Sequence, residues 1–213
     1  MKLLNSDLSP YAGRIRLYLR LKGLNIDIVP PDVPLRSAEF LAKYPFGKIP
    51  VLINDAGESL AESWSIMAYL ESLHPTPALQ PADHWQLAQM NARGRFADTH
   101  LAPAAFPLFG KLMGRSNVDV PTQIEAIKFE LGKADVIWRN CGELNSRSLD
   151  LADIALAPVL YFVLLLPKLL GYQHDLLSSY PALQQWWQQM QAITAVNLTL
   201  TELQAAINAM SAR

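Results

Sequence analysis

The apolar residues change rhythm near residue 80. Before it they come in short runs set between turn residues: Lys2 to Asn5, "NIDIVP", "IPVLIN" and "SLA" read as strands. Between them lie segments with helical punctuation. Ile15, Leu17, Leu19 and Leu21 alternate as they would in a strand, yet Ser9 suits an N-cap, Pro10 the first helical position and Gly23 a C-terminal stop. The punctuation predicts a helix from Pro10 to Lys22. "SAEFLAKY" and the segment from Ser63 to Leu73 are read as two further helices, and Asp55-Ala56-Gly57 as a hairpin turn. The order β-α-β-α-β-β-α implies a small mixed sheet with helices packed on it. "HPTPALQPAD" then breaks the chain. Beyond it, His84 to Met113 and Thr122 to Asn140 carry apolar residues at three- and four-residue spacing, the pattern of a helical bundle.

Charge and composition narrow the picture. With 18 basic and 19 acidic residues among 213, the net charge of -1 leaves no electrostatic footprint for nucleic acid or an anionic membrane. Cys141 is the only cysteine, so no internal disulfide is possible, and the opening residues lack a secretory signal pattern; a cytoplasmic protein is expected. The apolar run "IALAPVLYFVLLL", ending at Pro167, is shorter than the roughly 20 residues a membrane span needs and reads as a buried helix. The four histidines show no paired ligand spacing, so no metal site is expected, and no Gly-rich phosphate loop is present.

Candidate chemistry begins at "LSPYAGRIR". A hydroxyl at Ser9 is a plain helix cap on one reading. On another it stands where the partial positive charge of a helix N-terminus welcomes an anion. Ser63, after Glu62 and directly beyond a strand, poses the same choice between an ordinary cap and an anion site. Asp150 and Asp153 head the most apolar helix, three residues apart, and read as its capping box rather than as catalytic acids. Arg14, Arg16, Arg20 and Lys22 are assigned to a solvated face, and Trp186 and Trp187 to packing.

The element order together with "SPYA", "FGKIPVL", "AESWSI" and "LDLADIALAP" resembles the cytosolic glutathione S-transferases of the bacterial, serine-type kind, over essentially the whole chain. The resemblance implies an α+β protein: a thioredoxin-like glutathione-binding domain over 1–76, a linker over 77–84, and an all-helical domain over 85–213 lining the electrophile site. "SPYA" lies where the related glutaredoxins have C-P-Y-C, so Ser9 and Ala12 replace both cysteines and the reactive sulfur must come from a ligand. The family then implies that Ser9, with Tyr11 as the rival hydroxyl, stabilises the thiolate of glutathione. Lowering a thiol pKa by about two units takes roughly 2.7 kcal/mol, within reach of one charge-assisted hydrogen bond plus the helix dipole. Ile49 and a cis Pro50 would pair with the cysteinyl backbone, Lys48 with the glycine carboxylate, Glu62 with the ammonium and Ser63 with the γ-glutamyl carboxylate.

Glutathione enters as a co-substrate, with no permanently bound cofactor, and a small, largely apolar electrophile is the second substrate. A homodimer with no nucleic-acid or membrane partner is expected. Asn91, Arg95, Asp98 and Thr99 fall on the helix that borders the site and the dimer interface in the family. Two other functions stay open. "LYLRLKGL" and "DTHLAP" are similar to the maleylacetoacetate isomerase branch, which usually has Gln where this chain has Glu62, and the fold also serves as a non-catalytic interaction module.

Overall fold

In a computed structural model the described residues are 1–211, with side chains described through residue 210. The chain divides into two compact units, residues 1–79 with 195–213, and residues 80–194.

The first unit is built on a four-stranded sheet of order β2-β1-β3-β4. Its elements are β1 (Lys2–Leu4), α1 (Pro10–Lys22), β2 (Asp27–Val29), α2 (Ala38–Lys43), β3 (Val51–Ile53), β4 (Ser59–Ala61) and α3 (Ser63–Leu73). Each strand is three residues long, shorter than the apolar runs in the sequence. β1 runs parallel to β2 and antiparallel to β3, with Leu3 opposite Ile28 and Leu52, and β4 returns antiparallel to β3. The two-residue period divides the core between the faces of the sheet. Leu4 and Val51 pack with Phe40 of α2 on one face. Leu3 and Leu52 point the other way and are equally buried, as are Ile15 and Tyr18 of α1 and Ile66, Met67 and Leu70 of α3.

α1 forms as its punctuation predicts. The Ser9 hydroxyl accepts from the Ala12 N–H at 3.2 Å, Pro10 opens the helix, and Gly23 closes it in the left-handed region at φ 64°. The basic residues of α1 are not a solvated face, however. Arg14, Arg16 and Lys22 are buried, at 0%, 3% and 8% exposure. Alternating leucines wind apolar side chains all round a helix of 3.6 residues per turn, so no polar face is left for them. Each cation finds partners inside instead. Lys22 Nζ meets Glu71 at 2.8 Å and the His74 carbonyl at 2.7 Å, while Tyr18 donates to the same carboxylate at 2.9 Å. Burial, and then that bond to Glu71, raises the Tyr18 phenol well above its ordinary range.

The second unit contains α4 (His84–Phe96), a single π-helical turn (Ala97–Leu101), α5 (Ala102–Leu112), α6 (Val120–Cys141), α7 (Leu151–Leu169) and α8 (Pro181–Gln191). The segment expected as one helix from His84 to Met113 is thus interrupted once, by the π turn. α6 starts under an exposed cap, Asp119, which accepts from the Thr122 N–H at 3.0 Å and the Thr122 hydroxyl at 2.6 Å. α7 runs on through Pro167 to 19 residues, so the estimate that this segment is too short to span a bilayer is corrected. It is long and apolar enough to cross a membrane, yet 78% of its apolar window is buried inside the protein, as in a core helix.

α9 (Thr194–Ser211) belongs almost entirely to the first unit. This departs from the expected all-helical domain over 85–213. The physical reason is charge pairing: Glu202 of α9 accepts from Arg16 Nε at 2.9 Å and from Arg20 of α1, and Arg20 also donates to the Thr199 hydroxyl at 2.6 Å.

Candidate active site

Sheet topology gathers the candidate residues on one edge. Because β1, β2 and β4 share a direction that β3 opposes, the C-terminal ends of the first three and the N-terminal end of β3 lie together. The segments leaving that edge carry Ser9, residues 30–37, Ile49-Pro50 and Glu62-Ser63. Ligands of open α/β sheets settle at such carboxyl ends, where the strand order reverses.

Ser9 is half-buried and caps α1. Capping uses a lone pair of the hydroxyl oxygen and leaves its hydrogen free to donate, so the cap and ligand readings are compatible. Tyr11 is half-buried, with its ring stacked on the Arg14 guanidinium at 4.7 Å.

Lys48 is exposed, Ile49 half-buried and Pro50 buried, and the Ile49–Pro50 bond is cis. The preceding Gly47 fixes this turn. Its φ is 64°, and a Cβ there would stand 2.9 Å from the Leu41 side chain, so no other residue fits without displacement.

Glu62 and Ser63 depart from the cap-and-acid expectation. Glu62 itself occupies the N-cap position of α3 at φ 69°, ψ 113°, and its side chain makes no capping bond. Ser63 is the first helical residue, 4% exposed, and its hydroxyl accepts from Arg14 Nη1 at 3.1 Å. A left-handed conformation costs a non-glycine residue about 1–3 kcal/mol and persists where the surroundings enforce it, commonly at a ligand clamp. The exposed Glu62 carboxylate is therefore held beside a helix N-terminus whose first N–H groups have no acidic side chain closing them.

Arg14 is the residue that sequence reasoning missed. It lies 49 positions from Ser63, and the signal that could have found it is the all-round apolar pattern of α1, which buries any arginine placed there.

Next to Ser9, an open groove of about 750 Å³ runs between Asn5–Asp7 and Ile28–Leu35. Three prolines with the exposed Ile28 and Leu35 give it an aliphatic part, beside the polar Asn5, Ser6, Asp7 and Asp32. Ser9, Lys48, Ile49, Glu62 and Ser63 are not among the residues that line it.

In the second unit, Asp150 and Asp153 form a complete capping box. Asp150 Oδ1 accepts from the Ala152 N–H at 2.9 Å and the Asp153 N–H at 3.3 Å, and Asp153 Oδ2 accepts from the Asp150 N–H at 3.0 Å. Asp153 is fully buried, takes a bidentate pair from Arg147 at 2.6 and 2.7 Å, and accepts from Trp186 Nε1 at 2.8 Å. Asp150 is paired with Arg93. Burial disfavours the charge on Arg147, but the paired Asp153 more than offsets it and moves the guanidinium upward. Trp186 and Trp187 are both buried. Among the described residues, no group of three His, Cys, Asp or Glu side chains could hold a metal ion.

A small mixed sheet of four strands followed by a helical second unit is the layout of the glutathione transferase fold. Residues 3–78 match the model of the glutathione S-transferase N-terminal domain. Glutathione S-transferase 4 of Zea mays is 27% identical, over 92% of this chain and 90% of its own length. Glutathione S-transferase U7 of Arabidopsis thaliana is 23% identical, over 87% of this chain and 80% of its own. A solved glutathione S-transferase from Methylobacillus flagellatus, with glutathione bound, superposes with a TM-score of 0.76 at 29% identity, covering 93% of this chain and 98% of that one. Residues 3–78 thus match a glutathione S-transferase N-terminal domain, and along most of its length the chain is similar to glutathione S-transferases.

Proposed function

We infer that the protein is a glutathione transferase, which activates the thiol of glutathione and adds it to a small, largely apolar electrophile. The observation that carries this reading is Glu62, held in a costly backbone conformation with its carboxylate exposed beside the start of α3, where Ser63 is fixed from below by Arg14. That pair is built to receive an amino-acid head group, with the ammonium on Glu62 and the carboxylate on Ser63 and the first N–H groups of the helix.

Ser9 donates to the ligand's sulfur and, with the dipole of α1, favours the thiolate. Ile49 offers its backbone to the cysteinyl part and Lys48 its charge to the glycine carboxylate. The groove beside the Ser9 turn, part aliphatic and part polar, takes part of the electrophile. The catalysis is positional and electrostatic: the nucleophile is the ligand's own sulfur, brought to the electrophile already ionised. The family supports a homodimer acting in the cytoplasm, in disposal of reactive compounds.

Calorimetric titration with glutathione, followed by conjugation of a chromogenic aryl halide, tests the reading. Micromolar to low-millimolar binding and a conjugation rate cut at least tenfold by Ser9→Ala are expected. Absent binding would favour an interaction module instead, and a full rate in Ser9→Ala would pass the thiolate to Tyr11 or a backbone N–H.

A further inference from the structure

Arg16 lies about two turns beyond the Ser9 cap, and its guanidinium reaches back to the segment that leads into Ser9. Nη1 donates to Asn5 Oδ1 at 2.5 Å and to the Ser6 carbonyl at 3.4 Å, and Nη2 donates to the Asp7 carbonyl at 3.3 Å. The Ser6 carbonyl also accepts from the Ser9 N–H at 3.0 Å, so Arg16 and Ser9 share one acceptor. On its far side Arg16 Nε donates to Glu202 of α9, and Asp7 Oδ1 lies 3.4 Å from Nη1.

We propose that Arg16 and Glu202 are positioning residues for Ser9: the carboxylate of α9 orients the Arg16 fork, and the fork sets the 5–8 turn that presents the Ser9 hydroxyl to the ligand's sulfur. The proposal rests on the glutathione reading for its chemistry, and on this geometry for the positioning. A guanidinium suits the task because its donors are fixed in one plane and can grip three successive residues at once; an ammonium, a point charge on a flexible stem, cannot. Arg16 is 3% exposed, and its bond to Asn5 is buried, which shields the guanidinium from water. Burial pulls Arg16 down from its ordinary range, and Asp7 and Glu202 pull it back.

Two readouts on the full chain, carrying Cys141→Ser, test it. In the first, Ser9→Cys supplies a reporter thiol, and its alkylation by iodoacetamide is followed against pH with no glutathione present. Adding Glu202→Gln or Arg16→Lys is expected to move the alkylation midpoint up by about half a unit to one unit, as the thiol leaves the axis of α1. Unchanged midpoints in both variants would overturn the proposal.

In the second, Ser9 is retained and conjugation kinetics are measured. The expected result is kcat reduced about tenfold in Arg16→Lys and less in Glu202→Gln, a pH–rate profile displaced upward, and a KM for glutathione within about twofold of the parent. A lowered melting point with an unmoved pH profile would mean that Arg16 serves only the fold. Should Arg16→Lys fail to fold, Glu202→Gln, at a partly exposed position, still decides the matter. A parent protein that conjugates nothing would sink the glutathione reading but leave the first readout intact, so the two failures are distinguishable.

Discussion

α3 and α7 both begin at an acidic residue, and the two starts are finished in opposite ways. At α7, Asp150 and Asp153 satisfy one another's backbone groups, two arginines neutralise them, and a tryptophan N–H closes the last acceptor. At α3, Glu62 bends into the left-handed region, turns its carboxylate to solvent and makes no side-chain bond to the helix it precedes. A helix start leaves its first N–H groups without intrahelical partners in either case. The chain fills that vacancy with its own side chains at the core helix α7 and leaves it without a side-chain cap at α3. The difference is one of partners and exposure, since the residue types are nearly alike.

The comparison breaks most sharply at Asp153. Asp153→Ala strands the Arg147 guanidinium and the Trp186 N–H in a buried place, and a loss of about 3–5 kcal/mol is expected in denaturant unfolding. A loss below about 1 kcal/mol would show that the box is incidental.

Asp150→Ala should cost less, about 1–2 kcal/mol, as the loss of a cap at the upper end of the usual range. Glutathione affinity should be unchanged in this variant, and a parallel fall in affinity would mean that this cap serves the ligand.

Glu62 should behave in the reverse manner. Glu62→Gly relieves the φ of 69° and is expected to hold or raise stability by about 0.5–1 kcal/mol, while glutathione binding by calorimetry weakens about tenfold through loss of the ammonium partner. Glu62→Ala should lose the same affinity without the gain in stability. Unaltered dissociation constants in both would remove Glu62 from the site.

The smallest effect sharpens the contrast at a third start, that of α6. Asp119 is exposed, and its bonds from the Thr122 hydroxyl and then the Thr122 N–H lower its pKa. A carboxylate depressed on folding stabilises above its unfolded pKa, near 3.9, and loses that contribution as pH falls through its folded value. Asp119→Asn should therefore lower stability slightly at pH 7 and flatten the acid limb below about pH 4, where parent and variant converge. An identical acid limb in parent and variant would refute the cap's share.

Much of this was legible in the sequence, for reasons that are local. Ser9, Pro10 and Gly23 mark the ends of α1 because each acts on backbone bonds within a few residues, and Asp150 with Asp153 marks α7 in the same way. What failed was long-range or conformational. The burial of Arg14, Arg16 and Lys22 depends on partners that lie 49 to 186 residues away for Ser63, Glu71 and Glu202. The left-handed Glu62 has no compositional sign, since only glycine and asparagine advertise that region. Pro167 reads as a stop, but apolar surroundings carry α7 two residues past it. α9 has the composition of a bundle helix, and its place in the first unit, where Glu202 pairs with α1, has no local sign in the sequence.

That placement of α9 has a consequence for the order of events on the ribosome. The sheet and helices of residues 1–79 emerge first, with Arg16 already inside α1, but its carboxylate at Glu202 is translated only after the whole of residues 80–194. The nascent sheet thus waits, with Arg16 paired to Asp7 alone and its second carboxylate not yet made, while an entire helical unit is translated. On the proposed role of Arg16, the turn that carries Ser9 reaches its final setting only when the last helix arrives.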